Sequence, residues 1–460
     1  MIVRDAPSWL PDEAARRAAA GADPVWLSSP GLAGDGNGGA LAIAEDVVAA
    51  APREVVRGGP WSEVTEAWRA ARERWHPPGQ PPPPEGLPIG IGWLSYDLAR
   101  RWTDAPGAGG TDRAEAISRD EAFPWPDFEL RFFDALWIRS ARTGRAQVVA
   151  CDADAARRLL DLLEGAPAAL GAPPEVGALT SDRTRAEHEA AVVRIKDYLR
   201  AGDVYQVNLA RRVSAPVGPG DPVWLAARLR ERAPAPHAIW VGTRTSGAAG
   251  PLDAYVVGNS PERFLRVWPD GRVETRPIKG TRPRAASPSG DAALRAALAG
   301  AAKDRAEHIM IVDLERNDLG RVCRTGSVTV EDLMRVIDLP TVFHLESTVR
   351  GRLRPEVSLD ELLRATFPGG SVTGAPKRRA IEIIDELEPL RRGIYTGATG
   401  WLGAAGDLDL AVAIRTATVA AGRLSLFVGG GIVADSDPAS EWEETEVKAR
   451  AFRAACARDG

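Results

Sequence analysis

Short strand-like and helix-like stretches alternate along this chain without a regular strand–helix–strand period, and that irregularity constrains the fold most. A doubly wound sheet needs a crossover helix after each parallel strand. Residues 25–27, 89–96, 129–140 and 147–151 read as strands, with helices only at 61–75 and 153–163, the second capped by Asp152. After a Gly/Ala/Pro-rich link at 165–177, Thr180-Ser181-Asp182 reads as the cap of a helix that runs to about residue 199 and ends at Gly202-Asp203. Strands at 205–210, 254–258 and 263–268 follow, the last with the turn Pro269-Asp270-Gly271 behind it. The pattern predicts an α+β fold: large antiparallel β-sheets packed in a sandwich with helices on the outside. Trp61, Trp68 and Trp75 recur at spacing seven and should form one buried helix stripe. The proline-rich run at 77–88 reads as an extended surface loop rather than a domain break.

Composition excludes several function classes. A net charge of −5 gives no electrostatic reason to bind nucleic acid or a membrane surface. No apolar run reaches the roughly 18 residues of a membrane span, and the first residues do not read as a signal peptide, so a cytoplasmic protein is expected. Cys151, Cys323 and Cys456 are far apart, which argues against a zinc site or a disulfide framework.

Several motifs carry possible chemistry. Lys279 lies between Arg276 and the pair Arg282 and Arg284, in a loop that also holds Pro277 and Gly280. An ammonium among guanidiniums, partly desolvated, loses its proton more readily and can serve as an amine nucleophile. A solvated basic loop is the plainer alternative. On a helix over 303–319, Glu307 shares its stripe with Met310, Ile311 and Leu314. An inward carboxylate needs an ion-pair partner or a metal. Asp437 and Pro438 read as the cap and first residue of a last helix, whose one face holds Glu441, Glu444, Thr445, Lys448 and Phe452. Two such helices could offer their carboxylates to a hard cation such as Mg²⁺, although a solvated face also explains the last one.

FPGGSVTGAPK (367–377) opens an expected helix at 375–387, a place where free N–H groups favour an anion. Ala375 and Pro376 separate Gly374 from Lys377, which argues against a phosphate loop and leaves a carboxylate site. Gly429-Gly430-Gly431, at the end of a strand over 424–428, reads as a second backbone site. Arg415, on a strand over 410–419, could supply a bidentate fork. Plain turns are the alternative at both glycine runs.

YQVNLARR (205–212), SPERF (260–264), PIKGTRPR (277–284), KDRAEHIMIVDLERNDLGR (303–321), FPGGSVTGAPK (367–377), YTGATGW (395–401), DLAVAIRTA (409–417) and GGGIVADSDPASEWEETEVKA (429–449) together resemble the chorismate-utilising enzymes. That family includes the anthranilate, aminodeoxychorismate, isochorismate and salicylate synthases. GIGWLSYDLAR (90–100) resembles a signature of the amidotransferase-linked members. The resemblance implies an anthranilate synthase component I-like fold, with an N-terminal region over 1–170 and a chorismate-binding catalytic domain over 171–460.

It also implies roles. Mg²⁺ would be held by Glu307 and Glu444, with Glu441 nearby or ligating through water. Arg415, Tyr395, Lys448 and Gly429, Gly430 and Gly431 would surround the substrate carboxylates, with Ser371 and Gly374 close by and His344 near the ring. Glu262 would be the general acid and Lys279 the nucleophile. Anthranilate synthases usually read PIAGT where this chain reads PIKGT, and isochorismate-type enzymes carry a water-activating lysine where this chain has Gln206. Both differences favour the aminodeoxychorismate synthase component I branch, which aminates chorismate on the route to p-aminobenzoate and folate. Anthranilate synthase component I and a catalytically silent chorismate- or tryptophan-binding subunit are the alternatives. None of the three cysteines sits in a glutaminase-like setting, so a separate glutamine amidotransferase subunit is expected as partner. The stretch Trp26-Leu27-Ser28-Ser29-Pro30 lacks the run found in tryptophan-regulated members. Tryptophan should therefore inhibit weakly or not at all; initial rates titrated with tryptophan test this, and strong inhibition at micromolar levels would overturn it.

Overall fold

A computed structural model describes residues 1–29, 44–102, 125–140, 143–167, 171–244 and 252–457. Two antiparallel sheets dominate it. The larger runs from Ile2–Ala6 at one edge through Ala146–Ala150, Ala135–Ser140, Ala44–Ala49, Val25–Ser28, His237–Thr243, Ala254–Ser260, Thr416–Ala420, Arg423–Ile432 and Gln206–Pro216 to Gly374–Ala375. The smaller runs from Ile278–Pro283 through Val342–Arg352, Arg272–Arg276, Arg263–Val267, Leu408–Val412, Ala398–Gly403, Pro88–Leu94 and Phe128–Phe132 to Glu54–Arg57. The α+β reading with large antiparallel sheets therefore holds. The boundary expected at residue 170, which itself lies outside the described residues, falls between elements, and strands from both sides of it pair within each sheet. No helix among the described residues is long and apolar enough to cross a membrane.

Local signals placed several elements well. The helix Trp61–Trp75 spans the expected residues. Asp152 caps Ala153–Gly165 by accepting from the Ala155 N–H at 2.7 Å. Gly202 ends Arg185–Ala201 in the left-handed region, at φ 80°. Elsewhere tertiary context overrode the sequence pattern. The cap of Arg185–Ala201 is Thr184, in a reciprocal capping box with Glu187, whereas Thr180–Ser181 pairs as a short strand. The continuous strand expected at 129–140 is two strands in different sheets, with the break at Phe133-Asp134. The strand expected at 410–419 likewise divides between the sheets, so Arg415 is not on a strand but in the link. The last helix of the glycine motif starts at Lys377 rather than Ala375, because Gly374–Ala375 pairs with Gln206 and Val207 instead. The strand before the triple glycine does not stop at Val428. It continues to Ile432, and Gly429, Gly430 and Gly431 face Ala210, Leu209 and Asn208 across the ladder.

The tryptophan stripe is core packing. Trp61 packs edge-on against Phe128 at 5.2 Å. The Trp68 Nε1–H donates to the Gly403 carbonyl at 2.9 Å, and the Trp75 Nε1–H to the Phe133 carbonyl at 2.8 Å. These bonds let large indoles enter an apolar layer with their polar edges satisfied. Trp75 is 1% exposed and belongs to the core cluster that joins this helix to the smaller sheet. Trp75→Ala should lower stability by about 3–5 kcal/mol through a cavity and an orphaned carbonyl; a urea midpoint unchanged from wild type would contradict this.

Candidate functional site

Two links that carry the chain between sheets hold two of the predicted residues. Ser260-Pro261-Glu262 leads from Ala254–Ser260 in the larger sheet to Arg263–Val267 in the smaller. Ala413-Ile414-Arg415 leads back from Leu408–Val412 to Thr416–Ala420. The links hold each other: the Val412 N–H donates to the Glu262 carbonyl at 3.0 Å, and the Asn259 N–H donates to the Arg415 carbonyl at 2.9 Å. Arg415 has φ 49°, a region costing a non-glycine residue on the order of 1 kcal/mol. Its guanidinium donates to His344 Nε2 at 3.1 Å. His344 Nδ1 lies 3.1 Å from the Gly280 carbonyl, an acceptor, so Nδ1 carries the proton and the ring is neutral. Burial, followed by the Arg415 charge, pushes the His344 pKa down to about 3.

Glu262 is 3% exposed, and its Oε1 has no hydrogen-bond partner. The Ser371 hydroxyl lies beside this carboxyl but off hydrogen-bonding geometry, and it too is unpartnered. Burial raises the Glu262 pKa to about 7, against the opposing pull of Ser371 and Lys279. Lys279 Nζ lies 3.4 Å from the Ser371 carbonyl. Its pKa is lowered first by burial and also by Lys448, against the pull of Glu307, Glu262 and Glu444. The direction expected for Lys279 thus holds, but its cause differs. The loop arginines are occupied elsewhere: Arg276 with Glu274, Arg282 with Asp304 at 2.9 Å, and Arg284 with Asp291 at 2.6 Å.

The glycine strand forms a floor. A Cβ on Gly431 would sit 3.1 Å from Lys279 Nζ and 3.2 Å from Gln206 Oε1. One on Gly430 would lie 3.2 Å from Glu441 and 3.3 Å from Glu444, and one on Gly429 would meet the Tyr395 hydroxyl at 2.9 Å. They sit in register with Ala210, Leu209 and Asn208, so the strand runs on through them and the plain-turn alternative fails; the glycines keep side chains out of the floor. Lys448 donates to the Gly429 carbonyl at 2.6 Å and pairs with Glu444 at 2.7 Å. Burial lowers the Lys448 pKa, but Glu444 and Tyr395 more than reverse this, so it is raised overall. Tyr395 is buried and stacks on Phe427 at 5.5 Å. Gly374 lies behind the site: its Cβ position is 2.1 Å from the Gln206 carbonyl at φ 151°, which leaves no room for a side chain.

Among the described residues no group of three or more His, Cys, Asp or Glu could hold a metal ion alone. Glu441 and Glu444 nevertheless lie side by side over Gly430, and Glu307 faces Lys279 from the helix Ala302–Gly320. That donor set fits Mg²⁺, which takes one or two carboxylates and completes its shell with water and an anionic ligand. The sequence reading missed two residues. Arg392, buried, donates to Glu388, the Val372 and Asn208 carbonyls and Thr396, joining the segments around Ser371, Tyr395 and Gln206. Glu315 lies eight residues after Glu307, on a stripe that helical spacing alone could have flagged. In the 26–30 stretch, Trp26 Nε1–H donates to Asp46 at 3.0 Å and Ser28 accepts from Arg230 at 2.9 Å, while Pro30 lies outside the described residues.

Fold and site together define an enzyme that handles chorismate: residues 23–454 match the model of the chorismate binding enzyme family, and the chain belongs to it. Within that family it is 42% identical over 371 residues to aminodeoxychorismate synthase component 1 of Klebsiella aerogenes, covering 80% of this chain and 77% of that protein. It is 40% identical over 393 residues to anthranilate synthase component 1 of Streptomyces coelicolor, covering 83% and 74%. Among solved structures it resembles anthranilate synthase component I of Streptococcus pneumoniae, with TM-score 0.72, 30% identity and coverage of 88% and 91%. The menaquinone-specific isochorismate synthase of Escherichia coli shares the fold, with TM-score 0.74, 18% identity and coverage of 99% and 94%.

The raised pKa of Glu262 has a consequence for stability. The folded state keeps this proton to about pH 7, the unfolded chain only to about 4.5, so stability falls as pH rises between those values. Glu262→Gln removes that loss. The variant should match wild type near pH 4.5 and exceed it at pH 8 by roughly 3 kcal/mol; urea midpoints showing the same difference at both pH values would contradict this.

Proposed function

We propose that this chain aminates chorismate at C4 to give 4-amino-4-deoxychorismate, with ammonia supplied by a glutamine amidotransferase subunit, for p-aminobenzoate and folate formation. The observation that carries the reading is Lys279, an amine against the glycine floor with a lowered pKa, where the ortho-aminating relatives usually have alanine. The neutral Lys279 amine attacks C2 of the ring. The double bonds shift, the C4–O bond breaks, and Glu262 gives its proton to the departing hydroxyl, which leaves as water. Ammonia then bonds to C4, the electrons return, and the C2–N bond to Lys279 breaks. The amino group is left para to the ring carboxylate, and the net exchange is ammonia for water. The covalent step divides one hard displacement into two easier ones.

Arg415 and its His344 partner, Lys448, Tyr395 and the Ser371 hydroxyl orient the substrate carboxylates and ring. Glycines 429–431 leave the space it occupies, and Gly374 keeps the wall behind Gln206 close. Glu307 and Glu444, with Glu441 alongside, would hold Mg²⁺, which neutralises substrate carboxylate charge when bound. An external ammonia source agrees with the cysteines. Burial raises the thiol pKa of Cys151 to about 12 and those of Cys323 and Cys456 to about 11, the reverse of an activated nucleophile.

Ortho amination with pyruvate release is the second reading, favoured by the comparable identity to the Streptomyces coelicolor protein. Product analysis with chorismate, ammonium and Mg²⁺ separates the two: a non-aromatic amino product supports the first, anthranilate and pyruvate the second. Lys279→Ala should lose most amination activity, with any residue coming from direct ammonia attack. A variant as fast as wild type would remove the nucleophile from the scheme.

A further inference from the structure

The helix Ala302–Gly320 is attached to the protein in two different ways along its length. From residue 311 onward apolar packing anchors it: Ile311, Val312 and Leu319 are buried, and Val312 and Leu319 belong to the core cluster that also holds Trp75. Over 302–310, among the described residues, His308 alone is buried, and its neighbour Ile309 is 48% exposed.

That first half carries Glu307. Asp304, one turn earlier, closes on the Lys279 loop: a Cβ on Gly280 would lie 3.3 Å from Asp304 Cγ, and Arg282 pairs with Asp304 at 2.9 Å. Leu314, two turns after Glu307, meets the glycine loop, 2.7 Å from a Cβ placed on Gly370. Residues 304, 307, 311 and 314 share one helix face. Glu307 therefore stands between Gly280, the neighbour of Lys279, and Gly370, the neighbour of Ser371.

A single buried polar contact fixes the next position. His308 is 0% exposed, and its Nε2 is hydrogen-bonded to the Ser347 hydroxyl at 2.6 Å. Ser347, also fully buried, lies on the strand Val342–Arg352. Its N–H donates to the Pro277 carbonyl at 3.2 Å, two residues before Lys279. Its hydroxyl accepts from the Met334 N–H at 2.8 Å. That bond spans a bulge, where the ladder skips from Glu331–Thr348 to Arg335–Glu346 and Asp332 and Met334 have φ 49° and 59°. Such backbone persists only where its surroundings over-determine it, and the Ser347 hydroxyl is one of the restraints. His308 thus bonds to a group that is itself held from two sides.

We propose that His308 is a positioning residue: its bond to Ser347 latches the first half of the helix to the strand beside the Lys279 loop, and so presets Glu307 for Mg²⁺. It acts through Glu307 and not on the substrate. Breaking the bond frees this half from the sheet, while the half beyond residue 310 stays packed in the core. The inference rests on the assignment of Glu307 to Mg²⁺.

The test uses His308→Leu, which fills similar space without the bond, and His308→Gln, whose amide can still reach the Ser347 hydroxyl. Backbone hydrogen exchange, followed without metal, should quicken at least about tenfold over 305–310 in His308→Leu and stay as in wild type over 315–320. The Mg²⁺ concentration giving half-maximal chorismate consumption with ammonium should rise at least about tenfold in the same variant, with the maximal rate recovered at saturating Mg²⁺. His308→Gln should lie nearer wild type in both measurements. Unchanged exchange over 305–310 overturns the proposal. So does an unchanged Mg²⁺ half-saturation, whether or not the maximal rate falls, since a merely structural role lowers the rate alone. Should His308→Leu fail to fold, Ser347→Ala removes the other end of the bond and is read in the same two ways. Glu307→Gln, run alongside, separates the claims. A wild-type Mg²⁺ half-saturation in that variant removes the metal assignment itself, whereas a raised one there with an unchanged one in His308→Leu removes only the latch.

Discussion

Two backbone hydrogen bonds, Val412 N–H to the Glu262 carbonyl and Asn259 N–H to the Arg415 carbonyl, join the links through which the chain passes between the sheets. The site depends on them. They set a carboxyl and a guanidinium at the junction of two broad, stiff elements, where neither can drift without breaking ladder pairs on both sides. Arg415 tolerates its left-handed backbone because those ladders over-determine it. Burial, helped by the Arg415 charge, keeps the His344 ring neutral.

Around that junction, depth in the protein governs the chemistry more than pairing does. Burial is the leading cause of the shifts at Glu262, Lys279 and Glu315, and it acts in opposite senses on acid and amine. The acid keeps its proton and the amine more readily loses its own, which is the combination that a proton donor and a nucleophile require near neutral pH. Arg392 sustains this arrangement from below. Its bonds to Glu388, Thr396 and the Val372 and Asn208 carbonyls hold the walls together without entering the substrate floor.

Much of this was legible in sequence. The helix Trp61–Trp75 and the caps at Asp152 and Asp437 follow from spacing and local hydrogen bonding, which neighbours along the chain decide. The motif order was enough to identify the family, the residue types at 279, 307, 441 and 444 already suggested an amine and carboxylates for a cation, and the resemblance supplied the acid at 262. The strand breaks at Phe133-Asp134 and Ala413-Ile414-Arg415 were not legible, because neither link holds the Gly or Pro that marks a turn while the sheet changes.

The sequence by itself determined which groups are present and which local turns and caps they favour, since those depend on residues a few positions apart. Only the tertiary structure decided that the arginines around Lys279 face other partners and that three glycines form a floor within a strand rather than a turn. Desolvation and Coulomb interaction depend on distance through space, and the sheets bring together residues more than a hundred positions apart.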